Sequence, residues 1–400
     1  QGVHHDIWDR DPPAQPVLLT VKRDGRTIDA VAQTTKQGFV FVFDRVTGAP
    51  LFPIEERAYP PSTVPGEVTA PTQPLPLLPE PFARQRLTEQ MLTTRTEAAH
   101  AWAVEQFRSM RSDGQFLPFS LERPTILFPG FDGGAEWGGP AVNPATGVMY
   151  VNANDLAWTG MLAEQTAAGN TGAGIYEERC SVCHGADRKG SPPAFPSLVD
   201  IAGRLSAEQI AHVIRTGSGR MPAFPSLEGE AFDALLDFLR TGEDAKTEAP
   251  SAPVATSQKY RFTGYHKFLD PDGYPAVAPP WGTLSAIDLN TGNTLWKIPL
   301  GEYPELAAQG LKNTGTENYG GPILTASGVL FIGATIFDRK LRAFDSSNSE
   351  LLWETELPFA GTATPATYMI DGKQYVVIFT SNAKNRKAPQ GSAYVAFSLP

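Results

Sequence analysis

Along most of this chain, short runs recur in which apolar residues alternate with polar ones or stand in continuous blocks, separated by Gly, Pro, Asn and Asp. Alternation buries one face of a strand, and a continuous apolar block reads as a strand buried on both faces. The pattern predicts strands at Pro16–Val21, Ile28–Gln33, Phe39–Phe43, Val148–Asn152, Thr283–Asp288, Val329–Ala334, Lys340–Asp345, Gln374–Phe379 and Ala393–Ser398. The block from about Gly169 to Thr241 breaks this rhythm. Phe232, Leu235, Leu236 and Leu239 are at helical spacing within Gly229–Leu239. Ser206 is placed to cap a helix through Ile214, with Glu208 in its first turn, and Ala167–Cys183 reads as an earlier helix.

The strand regions carry a weak internal repeat. Phe43-Asp44-Arg45-Val46-Thr47-Gly48 leads to Leu51-Phe52, Ala286-Ile287-Asp288-Leu289-Asn290-Thr291-Gly292 to Leu295-Trp296, and Ala343-Phe344-Asp345-Ser346-Ser347-Asn348 to Leu352-Trp353. In each, Asp can bond its own backbone, Gly or Asn accepts a left-handed conformation, and the following Trp can wedge between sheets. Such repeats predict propeller blades. About four are expected: Pro16–Phe52, a split blade from Trp137–Asn152 and Trp281–Lys297, then Gly320–Glu354 and Thr362–Leu399. The helical block is thus an insertion between adjacent strands of one blade, with Glu248–Thr256 as a linker back to the sheet. The expected domains are 1–160 and 257–400 for the blades and 166–245 for the insertion. Pro60–Pro81 followed by Arg84–Phe107 reads as a loop and a helix over one face. Four blades leave open edges, so the chain is expected to be the C-terminal half of a larger protein.

Composition narrows the class. At 41% hydrophobic the chain is globular, and its net charge of −10 argues against a nucleic-acid partner. No segment is apolar for long enough to cross a bilayer. Both of its two cysteines fall in Cys180-Ser181-Val182-Cys183-His184. C-x-x-C-H is the attachment signature of a c-type haem: two thiols can bond the vinyl groups, and the adjacent His184 can reach the iron. A zinc site would need a second ligand pair, which is not found nearby. Met221, in the Gly-rich stretch Gly217–Phe224, is the candidate second iron ligand, and a His/Met haem suits electron transfer. The block resembles class I cytochromes c. Covalent haem implies export to the periplasm, with a signal upstream or removed.

A second resemblance covers nearly all the rest. His4-His5-Asp6-Ile7-Trp8-Asp9-Arg10-Asp11, Thr35-Lys36-Gln37-Gly38, Glu136-Trp137-Gly138-Gly139, Asn318-Tyr319-Gly320-Gly321-Pro322 and Ala363-Thr364-Pro365-Ala366-Thr367-Tyr368 resemble phrases of the pyrroloquinoline-quinone (PQQ) dehydrogenases, nearest the glucose and quinate dehydrogenase branch. The resemblance implies an all-β, eight-bladed propeller of which this chain carries about four blades, here with the all-α cytochrome inserted. It implies oxidation of an alcohol or aldose, with hydride passing to PQQ and electrons then to the chain's own haem, and a downstream acceptor such as a soluble cytochrome or the respiratory chain. Asp9 resembles the family's base, Lys36 its cofactor-contacting lysine and Asn152 a cofactor-contacting Asn. Trp137 stands at the cofactor or in blade core. His4 and His5 belong to the surroundings of the site or the substrate channel. A calcium ion on the cofactor is also implied, with most of its ligands upstream of Gln1. The competing readings are an electron-transfer cytochrome whose propeller is a docking scaffold, and a propeller binding module whose catalytic apparatus has decayed.

Overall fold

The computed structural model describes residues 1–164, 171–192, 195–219, 221–244, 259–385 and 387–398. The linker expected at 248–256 and the helix start at Ala167 lie outside the described residues. The chain forms two compact units. One holds residues 1–118, 125–159 and 267–400, the other 119–124 and 160–266.

The first unit is built mainly from antiparallel sheets. Val17–Arg23, Arg26–Thr34 and Val40–Asp44 form the first sheet. The second is the split one: Ala141–Asn143, Val148–Asn154, Gly282–Asp288 and Asn293–Pro299, with Leu284 opposite Asn152 and Ala286 opposite Tyr150. Ile323–Leu324, Val329–Ile332, Lys340–Asp345 and Leu351–Glu356 form the third, and Ala366–Ile370, Lys373–Ser381 and Ser392–Ser398 the fourth.

Alternation within the second sheet explains the stacking. Met149, Val151 and Ile287 pack with Leu19, Val21, Ala30 and Val40 of the first sheet. Their sequence neighbours Val148, Tyr150, Leu284 and Ala286 pack on Leu330, Ile332 and Phe344 of the third. A strand with period-two geometry and a partner on each side must be apolar at both parities, which is the block pattern of Val148–Val151. Leu341 and Leu357 meet Ile378 of the fourth sheet in the same way. Trp296 wedges between the second and third sheets, its indole N–H donating to Ser346 O at 3.0 Å, and Trp353 stands edge-on to Phe397 at 5.3 Å.

The Asp turns form as expected. Asp44 accepts from the N–H groups of Val46 and Thr47, Asp288 from Asn290 and Asp345 from Ser347. Gly48 and Gly292 hold the left-handed residue, but in the third repeat this is Ser349 (φ 63°), not Asn348. The expected loop at Pro60–Pro81 ends in a strand: Thr72–Pro76 pairs with Ile54–Ala58. The following helix spans Glu97–Ser109, capped by the Thr96 side chain.

In the second unit, helices Gly172–Arg179, Ala207–Thr216 and Gly229–Thr241 enclose Ile175, Tyr176, Ile210, Ile214, Phe232, Leu235 and Leu239. The expected continuous helix through Cys183 breaks at Cys180 and resumes as the single turn Ser181–His184. Ser206 caps its helix in a box with Gln209, each side chain bonding the other's backbone N–H, while Glu208 sits in the first turn. Leu162–Glu164 pairs with Tyr260–Phe262 where the segment leaves and returns.

Candidate active site and haem-binding motif

Asp9 lies between two anchored neighbours. Asp6 accepts from the backbone N–H of Trp8 and of Arg10, curling the segment into a tight turn. Trp8 is buried and donates its indole N–H to Leu117 O at 2.9 Å. Arg10 is buried too, and its two terminal nitrogens donate to Gly130 O and Pro129 O at 2.9 and 2.7 Å. Burial lowers the Arg10 pKa to about 10 against the raising charges of Asp6 and Asp9. With these side chains turned inward, Asp9 takes a left-handed backbone (φ 59°), costly for most residues and tolerated by Asp.

Lys36 follows the strand Arg26–Thr34 in a turn closed by Gly38 N–H on Thr35 O. Its stem is covered by Gly133, where a Cβ would come within 2.5 Å of Lys36 Cγ, and Gly134 N–H bonds Lys36 O. Lys36 Nζ donates to Asp11 Oδ1 at 2.7 Å and to Asp9 Oδ2 at 3.1 Å. Burial above all, with the charge and hydrogen bond of Asp11, raises the Asp9 pKa against the lowering charge and hydrogen bond of Lys36. For Lys36 burial acts downward, but the bonds and charges of Asp11 and Asp9 prevail and the pKa is raised. The pair therefore combines a reluctantly ionised carboxylate with a firmly protonated ammonium. That arrangement can take a proton from a hydroxyl and stabilise negative charge beside it.

Asn152 is buried mid-strand, not in a turn. Its amide donates to Asn318 Oδ1 at 2.6 Å and Gly320 O at 2.9 Å, so any ligand would meet it through Oδ1. Trp137 is 47% exposed and is not blade core. It stands edge-on to Tyr319 at 5.7 Å, with Lys384 Nζ over both rings, and Tyr319 OH is 3.2 Å from Asp132. His4 bonds Gln73 and Glu56 of the hairpin, and His5 is exposed. The geometry adds Asp11, Arg10 and Asn318 to the residues expected from sequence. All three stand in the phrases that resemble the PQQ dehydrogenases, a signal that marked their segments but gave them no role. Among the described residues no group of three or more His, Cys, Asp or Glu is placed to hold a metal ion.

In the helical unit, His184 Nδ1 is 2.8 Å from Pro196 O, which fixes the tautomer that carries its lone pair on Nε2. Cys180, Met221, Leu198 and Phe224 border one apolar cluster. Burial first, then the nearby Cys183, pushes the Cys180 thiol up to about 12. Met221 is held in a tight loop, exchanging backbone bonds with Ser218. Two unbridged thiols and an oriented imidazole in one motif, with Cys180 and the Met221 thioether bordering the same apolar cluster, fit a covalently bound haem.

Comparison with known proteins bears on both units. The model of the glucose/ethanol/alcohol dehydrogenase β-propeller domain, designated PQQ, matches residues 1–195 and 229–376. That of cytochrome c oxidase, cbb3-type, subunit III matches 167–239. The chain is 31% identical over its whole length to quinoprotein glucose dehydrogenase A of Acinetobacter calcoaceticus, covering 42% of that protein. It is also 31% identical over its whole length to a probable quinate dehydrogenase (quinone) of Xanthomonas campestris pv. juglandis, covering 43%. A glycerol dehydrogenase large subunit of Gluconobacter thailandicus is 28% identical, again over the whole chain, with 47% covered. The chain thus spans less than half the length of these relatives.

Proposed function

The chain belongs to the PQQ β-propeller dehydrogenase family, and from that premise we propose that it is part of a quinohaemoprotein oxidising an alcohol or aldose and passing the electrons to its own haem c. One observation carries the reading: a single chain holds both the Asp9–Lys36 pair, 3.1 Å apart, and a C-x-x-C-H motif whose imidazole is already oriented. Bound PQQ would supply the electrophilic carbonyl that accepts hydride. Asp9 takes the hydroxyl proton of the substrate, and Lys36 stabilises the negative charge that develops beside it. Asn152 Oδ1 and the exposed face of Trp137 offer further contacts to cofactor or substrate. Cys180 and Cys183 would anchor the haem, and His184 and Met221 would bind its iron, which would carry single electrons.

The proposal places the cytochrome domain at 166–245, between propeller segments 1–160 and 257–400. Calcium completes the cofactor set, with no ligand assigned to it among the described residues. Covalent haem attachment supports a periplasmic location, and none of the described helices is long and apolar enough to cross a membrane. A soluble cytochrome or the respiratory chain takes the electrons onward.

The test is anaerobic addition of a panel of alcohols, polyols and aldoses to oxidised full-length protein loaded with PQQ and calcium, recording the reduced haem band. Reduction by one substrate class, lost in Asp9→Asn, is expected. A haem that dithionite reduces and no substrate does, with PQQ loading verified, contradicts the enzyme and favours an electron carrier.

A further inference from the structure

We propose that Asp11 is a positioning residue that holds the Lys36 ammonium in place while Asp9 gains and loses its proton. The inference rests on the reading of Asp9 as the base. The geometry is asymmetric in Asp11's favour: Lys36 Nζ lies 2.7 Å from Asp11 Oδ1 and 3.1 Å from Asp9 Oδ2. The lysine side chain is 9% exposed, the Asp9 side chain 45% and the Asp11 side chain 60%. One buried cation is thus shared by two carboxylates, the more solvated of which has the shorter contact.

When Asp9 accepts a proton, the O–H bond of the substrate breaks, an O–H bond forms on Asp9, and Asp9 ceases to be an anion. A buried ammonium left with only a neutral carboxyl would suffer a desolvation penalty and tend to move or deprotonate. Asp11 removes that penalty because it keeps its own bond and charge throughout the cycle. Arg10, between the two carboxylates in sequence, braces the same segment against Pro129 and Gly130, and the loop that follows packs Gly133 on the Lys36 stem. Lys36 can therefore pivot between two oxygens while its stem stays fixed. The negative charge of Asp11 also opposes ionisation of Asp9, and its hold on Lys36 leaves the ammonium only partly committed to Asp9. Asp11 thereby keeps Asp9 a stronger base than a lysine-paired carboxylate would otherwise be.

Asp11→Asn tests this in full-length protein in two ways. In the loaded enzyme, the acid limb of the kcat/KM–pH profile should move to lower pH by about one unit, the size expected when an opposite charge is committed to a carboxylate. The plateau kcat should fall by about tenfold as the base weakens. The second readout uses protein without PQQ and compares thermal stability with and without Asp9→Asn across pH. The melting advantage of Asp9→Asn over its parent at neutral pH should shrink once Asp11→Asn is added to both, because the folded Asp9 carboxyl then falls toward its unfolded value. Asp11→Glu, which retains a carboxylate, should return both values toward the parent. A limb that stays put or moves up, with a melting advantage that does not shrink, overturns the proposal, even if activity falls. Failure of the underlying reading is separate: Asp9→Asn with undiminished kcat removes Asp9 as the base whatever Asp11 does.

Discussion

Asp9 has to meet a backbone requirement and a chemical one. Its φ of 59° admits Asn as readily as Asp, so Asp9→Asn leaves the turn intact and removes only the basic oxygen. A positioned base contributes about 10²–10⁴-fold, and substrate-driven haem reduction in Asp9→Asn should slow by that range. Stability should move the other way. A pKa raised in the folded state means that folding favours the neutral carboxyl, a contribution present below the unfolded value and lost as pH rises through the folded one. Asp9→Asn should therefore melt no lower than the parent at neutral pH, with the difference closing in acid. The acid limb of activity should likewise lie above the ordinary value of an aspartate. Ser349 offers a simpler test, since its left-handed conformation (φ 63°) occupies a place that glycine fills in the two sister turns. Ser349→Gly should stabilise the fold by about 0.5–1 kcal/mol in denaturant melts. At this scale the sequence showed residue types but not contacts. The Cys and His of the haem motif are legible because their spacing is local. The bond from Lys36 to Asp11 joins residues 25 positions apart, and the amide network of Asn152 spans 166.

The blades were legible because sandwiched strands need apolar residues at both parities, as Val148–Val151 shows, and because Asp turns recur at their ends. What escaped had weaker local signals. Thr72–Pro76 contains two prolines, tolerated because, among the described residues, its sheet has two strands and leaves it an open edge. The break at Cys180 leaves helical periodicity almost unchanged and is set by the turn that carries the motif. Element packing also makes a prediction. A Cβ at Gly172 would sit 2.1 Å from Ala234 O, so the first and last helices of the cytochrome unit cross backbone to backbone. Gly172→Ala should destabilise this unit by about 1–3 kcal/mol, read from the haem absorbance during unfolding, while the propeller transition stays unchanged. The Met221 loop belongs to the same scale. Because a thioether ligand raises the haem potential, Met221→Ala should lower it in a redox titration.

At the scale of the whole molecule, the chain passes between its two units at 118–119, 124–125, 159–160 and 266–267. Under the proposed function, these covalent crossings would tether the haem-binding unit to the propeller segment that carries Asp9 and Lys36 and make electron delivery intramolecular, with a high effective concentration. That the insertion falls between two strands of one sheet was readable from sequence, because Val148–Asn152 and Thr283–Asp288 both read as strands and the helical block of about Gly169–Thr241 lies between them. The most direct test of the central claim is the rate of haem reduction after rapid anaerobic mixing of loaded full-length protein with its substrate, measured over a hundredfold range of protein concentration. If electrons pass within one molecule, the first-order rate constant does not change with protein concentration. A rate constant that rises in proportion to protein concentration would show that electrons pass between molecules, and would contradict the central claim.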